Sequence, residues 1–242
     1  MTLRIAMWSG PRNLSTAMMR SFGSRADTFV SDEPFYGCFL KTTGAPHPMR
    51  EEVIAAMDCD WNNVMAALRG DAPDGSPIWY QKHMWHHMAG PIGYEDFEGF
   101  THAFLIREPE RMIASYLRKR EAAHFEDFGL ERQAEFFERE ADRLGHAPPV
   151  IDANDVLANP ENVLAQLCAA LGISWDPAML SWPPGRRDTD GPWAPHWYGA
   201  VEKSTGFGPP ETDAVALPAD AQRVADRCRP YYERLAAHRL SR

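Results

Sequence analysis

Residues 3–20 read LRIAMWSGPRNLSTAMMR, and this stretch decides the fold. The apolar run from Ile5 to Trp8 predicts a strand that stops just after Ser9. From Leu14 to Phe22, apolar residues recur every four positions, which predicts a helix. A strand, a tight loop and a helix in this order aim free backbone N–H groups and the positive end of the helix at an anion. The stretch therefore predicts a phosphate-binding loop; the alternative is an ordinary polar turn.

The side chains of this loop also suit an anion. Arg12, Asn13, Ser15 and Thr16 can all donate hydrogen bonds to phosphate or sulfate oxygens. The loop is not that of the usual nucleoside triphosphatases, whose pattern is G-x-x-x-x-G-K-[ST]. Counting from Gly10 puts Ser15 and Thr16 where that pattern requires glycine and lysine.

Residues 11–16, PRNLST, resemble the 5′-phosphosulfate loop of sulfotransferases, which usually reads Pro-Lys/Arg-Ser-Gly-Ser/Thr-Thr. Two positions depart from that pattern. Arg12 replaces the commoner lysine and keeps the charge, and Leu14 replaces the glycine. The resemblance implies that the cofactor is bound by Gly10, Pro11, Arg12, Asn13, Leu14, Ser15 and Thr16.

Two side chains are candidates for the base that takes the acceptor proton. Residues 33–35, EPF, resemble a sulfotransferase segment in which the glutamate is a candidate base; a solvent-exposed turn carboxylate is the alternative. His83 is predicted just past a strand over Ile78–Lys82 and resembles the histidine of the family's Thr-His or Lys-His pair. We favour His83 over Glu33 because its ordinary pKa lies nearest working pH, with Lys82 assisting.

A second motif follows the apolar strand predicted over Thr101–Arg107. Arg107-Glu108-Pro109 with Ser115 resembles the Arg-Asp-Pro and serine that bind the 3′-phosphate in sulfotransferases, with Glu108 in place of the aspartate. An arginine at a strand end can fork onto a phosphate, although a structural ion pair is the alternative. A looser resemblance implies that Lys203 and Ser204 belong to a late loop that closes over the cofactor.

Metal binding is not expected. His83, His86 and His87 would suggest a metal site if they were helical, but the other ligands such a site needs are not evident. The four cysteines are scattered without a C-x-x-C pair, which disfavours metal and disulfide frameworks. Reduced thiols are typical of the cytosol.

Composition excludes other classes. A net charge of −9 argues against a general nucleic-acid binder. The sequence begins with a strand rather than a signal-peptide pattern, and no apolar run could span a bilayer, so we expect a cytoplasmic protein without membrane contact. The apolar fraction of 44% is ample for a core.

We expect a single domain over residues 1–242, with a lid or insert over about 40–75 and a Pro/Trp-rich loop over about 181–210. Beyond the elements above, the pattern predicts the following: a strand over Thr28–Ser31, a strand near residue 150, and helices over Arg50–Arg69, Arg111–Arg120, Leu130–Leu144, Val163–Leu171 and Asp220–Leu240.

The resemblance implies an α/β fold of the P-loop NTPase-like kind, a three-layer sandwich with a short central parallel sheet and helices on both faces. It implies transfer of a sulfuryl group from 3′-phosphoadenosine 5′-phosphosulfate (PAPS), as co-substrate and without a metal, to a hydroxyl or amine of a small-molecule acceptor. Two other classes stay open: a non-catalytic or repurposed nucleotide binder, and a nucleotide-dependent kinase. The sequence identifies neither the acceptor, beyond an apolar or aromatic-walled pocket, nor the oligomeric state.

Overall fold

The computed structural model describes residues 2–240. Its centre is a five-stranded sheet in the order β2-β3-β1-β4-β5, in which every pairing is parallel. Both faces of such a sheet are covered, which explains why most residues of its strands are buried. The strands are β1 (Leu3–Ser9), β2 (Thr28–Asp32), β3 (Ile78–Met84), β4 (Thr101–Ile106) and β5 (Val150–Asp152).

Ten α-helices are found within residues 2–240, and they cover both faces of the sheet. Neighbouring residues of β1 enter different cores: Trp8 packs among α4, α5, α6 and α10, whereas Met7 packs among α1 and α8. This confirms the predicted three-layer α/β fold. The helices are α1 (Ser15–Phe22), α2 (Tyr36–Thr43), α3 (Arg50–Ala56), α4 (Trp61–Leu68), α5 (Pro109–Leu117), α6 (Leu130–Leu144), α7 (Ala153–Ala158), α8 (Pro160–Ala170), α9 (Ala194–Trp197) and α10 (Ala219–Ala236).

The single helix predicted over Arg50–Arg69 is wrong. The backbone becomes extended at Met57, and a new helix begins after Asp60. The Asp60 carboxylate accepts hydrogen bonds from the backbone N–H groups of Asn62 and Asn63, both at 2.9 Å. Such a cap stabilises a helix start by about 1 kcal/mol. Apolar spacing continues across the break, and so the pattern alone hid it.

The predicted end of β3 is also wrong, and this error affects the site. The strand continues to Met84, so His83 lies inside it rather than just past its end. Successive side chains of a strand point to opposite faces. Lys82 and His83 therefore lie on opposite faces of the sheet and cannot serve the same pocket.

Two further differences are local. Helix α2 begins at Tyr36, where the sequence pattern predicts no helix. Helix α7 is also not predicted; the Asp152 carboxylate caps it by accepting from the backbone N–H of Asn154 at 2.8 Å. Within residues 2–240, no helix is both long and apolar enough to cross a bilayer.

Candidate functional site

A cavity of about 330 Å³ opens at the carboxyl ends of β1, β2 and β3. Ligands of open α/β sheets bind at this edge. The predicted lid segment contributes Phe39 and His47 to the wall. The complete lining is Pro11, Arg12, Ser15, Thr16, Glu33, Tyr36, Phe39, His47, Lys82, Met84, His86, His87, Tyr116, Arg120, Glu126, Asp127, Trp193, Trp197 and Tyr198.

The loop between β1 and α1 forms one end of this cavity. Arg12 and Leu14 both have left-handed backbones, with φ of 65° and 70°. This conformation costs an ordinary residue about 1–2 kcal/mol, so glycine would suit position 14 better. Gly10 admits no side chain, because an added Cβ would lie 2.9 Å from the carbonyl oxygen of Phe128. Buried Asn13 and strained Leu14 shape the loop that leads into α1.

Three arginines converge beside this loop. Arg12 Nε and Arg118 Nη2 both donate to Ser115 Oγ, at 3.2 and 2.9 Å, and Arg107 donates to the carbonyl oxygen of Arg12. Burial lowers the pKa of Arg12, and the charges of Arg118 and Arg107 lower it further. Among residues 2–240, neither Arg12 nor Arg118 has a carboxylate within 4.0 Å. Cations that converge without a counter-charge suit a bound anion.

Arg107 itself has a carboxylate partner. Its Nη2 lies 2.5 Å from both carboxylate oxygens of Glu211, and Arg111 Nη1 lies 3.9 Å from the same carboxylate. The ion pair weighed as the alternative role of Arg107 is therefore present. Arg107 also donates to the backbone carbonyl of Arg12, so its guanidinium remains next to the phosphate loop.

Another part of the cavity wall holds an ion network centred on buried Lys82. Its Nζ lies 2.9 Å from Asp32 Oδ1 and 2.7 Å from Glu33 Oε1. It also donates to the Tyr198 hydroxyl at 2.8 Å and lies 3.3 Å from the Thr16 hydroxyl, next to the phosphate loop. Burial alone would lower the pKa of Lys82, but Asp32 and Glu33 raise it well above its ordinary value. Lys82 is therefore a cation.

The two carboxylates on Lys82 differ in their surroundings. Asp32 Oδ2 accepts from the Tyr198 hydroxyl at 2.6 Å and from the backbone N–H of Gly191 at 3.0 Å, so its oxygens are engaged. Among residues 2–240, the only basic nitrogen within 4.0 Å of Glu33 Oε2 is His87 Nδ1, at 3.7 Å. Burial raises the pKa of Glu33; Lys82 opposes the shift and Asp32 adds to it. Glu33 is thus the carboxylate that faces the cavity.

The backbone holds Glu33 in an unusual conformation. Its φ is 44°, although the residue before a proline is normally extended. Its N–H donates to the Lys82 carbonyl at 3.0 Å, and its carbonyl accepts from Tyr36 N–H at 3.0 Å. A strained residue fixed by its surroundings is typical of functional sites.

The structure does not bring His83 to the cavity. Its ring stacks on Trp8 at 4.7 Å between centroids, and Nε2 lies 3.2 Å from Gln81 Oε1. Burial lowers its pKa to about 3. Because it packs in the core on the opposite face from Lys82, His83 has no route to an acceptor in the cavity.

Other predicted residues lie away from the cavity or take structural contacts. Lys203 is exposed. Ser204 Oγ donates to the carbonyl of Val201 at 2.7 Å and accepts from Trp182 Nε1 at 3.0 Å. Within the described part of the chain, no three His, Cys, Asp or Glu side chains are grouped so that they could hold a metal ion.

Comparison with known proteins identifies the family. The sulfotransferase domain family matches residues 3–239. The chain belongs to this family. Two solved sulfotransferases have the same fold. The sulfotransferase domain from the curacin biosynthetic pathway has a TM-score of 0.54 and 17% identity, and the match covers 94% of this chain and 97% of that one. The sulfotransferase from Alicyclobacillus acidocaldarius has a TM-score of 0.52 and 15% identity, and the match covers 100% of this chain and 98% of that one. The predicted resemblance is confirmed.

Two curated relatives come from Arabidopsis thaliana. Branched-chain-amino-acid aminotransferase-like protein 2 is 33% identical over 234 residues, covering 97% of this chain and 41% of the relative. Branched-chain-amino-acid aminotransferase-like protein 1 is 35% identical over 235 residues, covering 97% and 42%. The chain thus spans about two fifths of their length, and their names describe proteins much longer than the part it matches.

Sequence reasoning missed several residues of this sulfotransferase-family site. Arg118 could have been found, because it lies one helical turn after Ser115 and so on the same side of α5. Tyr198 lies in the Pro/Trp-rich loop that the sequence marks as functional by its length, but its contact with Asp32 spans 166 residues. Glu211 gave no local signal.

Proposed function

We propose that this protein transfers a sulfuryl group from PAPS to a hydroxyl or amine of a small-molecule acceptor. The observation that carries the proposal is one cavity lined by both an anion-binding loop and a partly buried carboxylate. Arg12 belongs to the loop, and Glu33 is held by Lys82, whose Nζ also lies 3.3 Å from the Thr16 hydroxyl next to the loop.

The donor end fits the two charged groups of PAPS. Backbone N–H groups at the start of α1, with Arg12 and the hydroxyls of Ser15 and Thr16, suit the phosphosulfate. The arginines around Ser115 suit a 3′-phosphate, since Arg12 and Arg118 lack carboxylate partners among the described residues. A 3′-phosphate would displace Glu211 from Arg107.

The acceptor end supplies the base. The acceptor oxygen or nitrogen attacks sulfur, so that its new bond to sulfur forms as the bond from sulfur to the 5′-phosphate oxygen breaks. Adenosine 3′,5′-bisphosphate departs with the electron pair, and the acceptor proton passes to the Glu33 carboxylate. Lys82 orients that carboxylate at 2.7 Å and places a positive charge beside Thr16 of the loop. We therefore assign the base to Glu33 instead of His83. Placement and charge compensation do most of the work in transfers of this kind.

Binding selectivity tests the donor site. We expect the protein to bind adenosine 3′,5′-bisphosphate in preference to ADP without magnesium, because only the bisphosphate has a 3′-phosphate. At a hundred times its dissociation constant, a ligand stabilises a fold by about 2.7 kcal/mol. For a chain of this size each kcal/mol raises Tm by about 2–4 °C. Arg107→Ala should abolish the preference, since it removes a forked, charge-assisted contact.

The matched control is Arg139→Ala, which removes an exposed arginine paired with Glu95 far from the cavity. It should leave the preference intact. Stabilisation by magnesium-ATP with none by the bisphosphate would favour a kinase. Bisphosphate binding without transfer of labelled sulfate to any acceptor in a panel of alcohols, phenols and amines would favour a non-catalytic binder.

A further inference from the structure

A second basic group lines the cavity, at Arg120. Among residues 2–240, no carboxylate lies within 4.0 Å of its guanidinium. Its contacts are a long hydrogen bond from Nη1 to the Pro46 carbonyl, at 3.5 Å, and the face of the Trp197 ring, whose centroid lies 5.7 Å from Cζ. Its Nε is buried and has no hydrogen-bond partner within the described part of the chain. A half-buried cation with an unused donor facing a cavity suits an anionic ligand.

Besides Glu33, which pairs with Lys82, two acidic residues line the cavity, and among residues 2–240 neither of them forms an ion pair with Arg120. Asp127 Oδ2 accepts from the backbone N–H of His124 at 2.8 Å. Glu126 is 76% exposed and lies 3.8 Å from Arg227. The hydroxyl of Tyr116 interacts with both Asp127 and Arg120, and a neutral hydroxyl does not offset a charge. The charge of Arg120 is therefore left for a ligand.

This group is separate from the arginines at the phosphate loop. The charges that lower the pKa of Arg12 are those of Arg118 and Arg107. The charge of Arg120 acts instead on two histidines of the cavity wall. Burial lowers the pKa of both, with a smaller contribution from the charge of Arg120, so that the pKa of His86 is about 3 and that of His47 about 4. The cavity therefore has two basic regions.

Neutral imidazole adds a second polar contact here. His86 Nδ1 is buried without a hydrogen-bond partner among the described residues. Between this region and Glu33, the wall is aromatic: His87 stacks on Tyr36 with centroids 4.4 Å apart, and Phe39 lies 5.0 Å from His87. An apolar segment bearing a negative charge at one end matches this surface.

We infer that the acceptor carries a carboxylate, bound by the guanidinium of Arg120 with His86 beside it, while its hydroxyl or amine reaches Glu33. This inference rests on the proposed function and names its substrate class, an acid with a hydroxyl or amine at the other end of an apolar spacer. Arginine suits the role because its planar fork matches both carboxylate oxygens.

The test uses three probes that share a phenol: 4-hydroxyphenylacetate, 4-ethylphenol and tyramine, which are anionic, neutral and cationic. Binding is measured by calorimetry on the full chain saturated with adenosine 3′,5′-bisphosphate. We expect the carboxylate to bind at least tenfold more tightly than the other two. Arg120→Gln should remove that preference, and Arg120→Lys should restore part of it, because lysine keeps the charge without the fork.

Lys119→Gln is the matched control, because it removes the same charge from the adjacent, exposed position, which does not line the cavity. It should bind all three probes as the wild type does. Equal affinity for the three probes, no binding of 4-hydroxyphenylacetate, or an equal loss in Lys119→Gln would overturn the inference. If the bisphosphate itself fails to bind the wild type, the proposed function fails; if it binds and the carboxylate does not, only this inference fails.

Discussion

Replacing Glu33 by glutamine removes the proposed base and changes little else. Glutamine has the same length, and its amide oxygen can still accept from Lys82, which lies 2.7 Å from Glu33 Oε1. Lys82 also keeps Asp32 at 2.9 Å, so it does not become an unpaired buried cation. The variant therefore isolates the proton acceptor from the architecture that surrounds it.

The expected loss of rate in Glu33→Gln follows from the proposed role of Glu33 as general base. A positioned general base contributes about 10²–10⁴-fold. At 1.36 kcal/mol for each factor of ten, Glu33→Gln should raise the barrier by about 2.7–5.4 kcal/mol. The affinity for adenosine 3′,5′-bisphosphate should change by less than about twofold, which corresponds to under about 0.5 kcal/mol of binding free energy. The change is small because Glu33 is proposed to contact the acceptor and not the bisphosphate.

The pH dependence of the reaction rate provides a second test of the role of Glu33. Burial raises the pKa of Glu33, so the wild-type rate should increase as the pH rises through that pKa and the carboxyl ionises. The variant should lack this rise. A raised pKa also means that the stabilising contribution of Glu33 is present below its unfolded pKa and is lost as the pH rises through the folded pKa. The stability of Glu33→Gln relative to the wild type should therefore increase with pH.

The assay is transfer of labelled sulfate from PAPS to the best acceptor in a panel of hydroxy acids, phenols and amines, at several pH values, with Tm measured on the same samples. Glu95→Gln, an exposed change remote from the cavity, is the matched control and should behave as the wild type. His83→Phe keeps an aromatic ring against Trp8 and should retain the rate, although loss of the hydrogen bond to Gln81 Oε1 costs about 1–3 kcal/mol of stability. A normal rate in Glu33→Gln, or a hundredfold loss confined to His83→Phe, would refute the assignment.

Two further predictions concern the donor end. Glu211→Gln should tighten binding of adenosine 3′,5′-bisphosphate by about two- to fivefold, because it removes a carboxylate that competes for Arg107. The partly exposed ion pair between Glu211 and Arg107 is worth about 0–1 kcal/mol. Calorimetry measures the affinity, and unchanged or weaker binding would mean that Arg107 does not contact the 3′-phosphate. Leu14→Val should lower the free energy of unfolding in urea by about 1–2 kcal/mol, because a β-branched residue fits φ of 70° poorly. Leu14→Gly should stay within about 1 kcal/mol of the wild type, since relief of strain is offset by the greater freedom of glycine when unfolded; equal stability of the valine variant would contradict this account.

The fold could be predicted from the sequence because its signals are local. Each strand contains a short apolar stretch, and the sequence from β1 to α1 has the pattern of a strand, a turn and a helix. The side chains of Arg12, Ser15 and Thr16 from the predicted phosphate loop line the cavity. Ser115, which the resemblance pairs with Arg107, accepts a hydrogen bond from Arg12 Nε at 3.2 Å. That these residues bind a cofactor stays a prediction.

The acceptor side was harder to predict because it depends on strand ends and on contacts between distant segments. Placing the end of β3 two residues early put His83 in the site and left Lys82 in a secondary role. Apolar character cannot locate that end, because the last part of the strand contains the polar residues Gln81, Lys82 and His83. The partners of Asp32 come from residues 191 and 198, which no local pattern connects to β2.

The buried lysine nevertheless links the site to the register of the sheet. Lys82 pairs directly with Asp32 across β2 and β3. A slip of one residue between these strands would turn Lys82 toward the face that holds Trp8, and a slip of two would part it from Asp32. A buried charge that loses its partner costs about 3–5 kcal/mol. The same contacts that give Glu33 its position therefore also favour the observed register of β2 on β3, so the site contributes to specifying the fold that carries it.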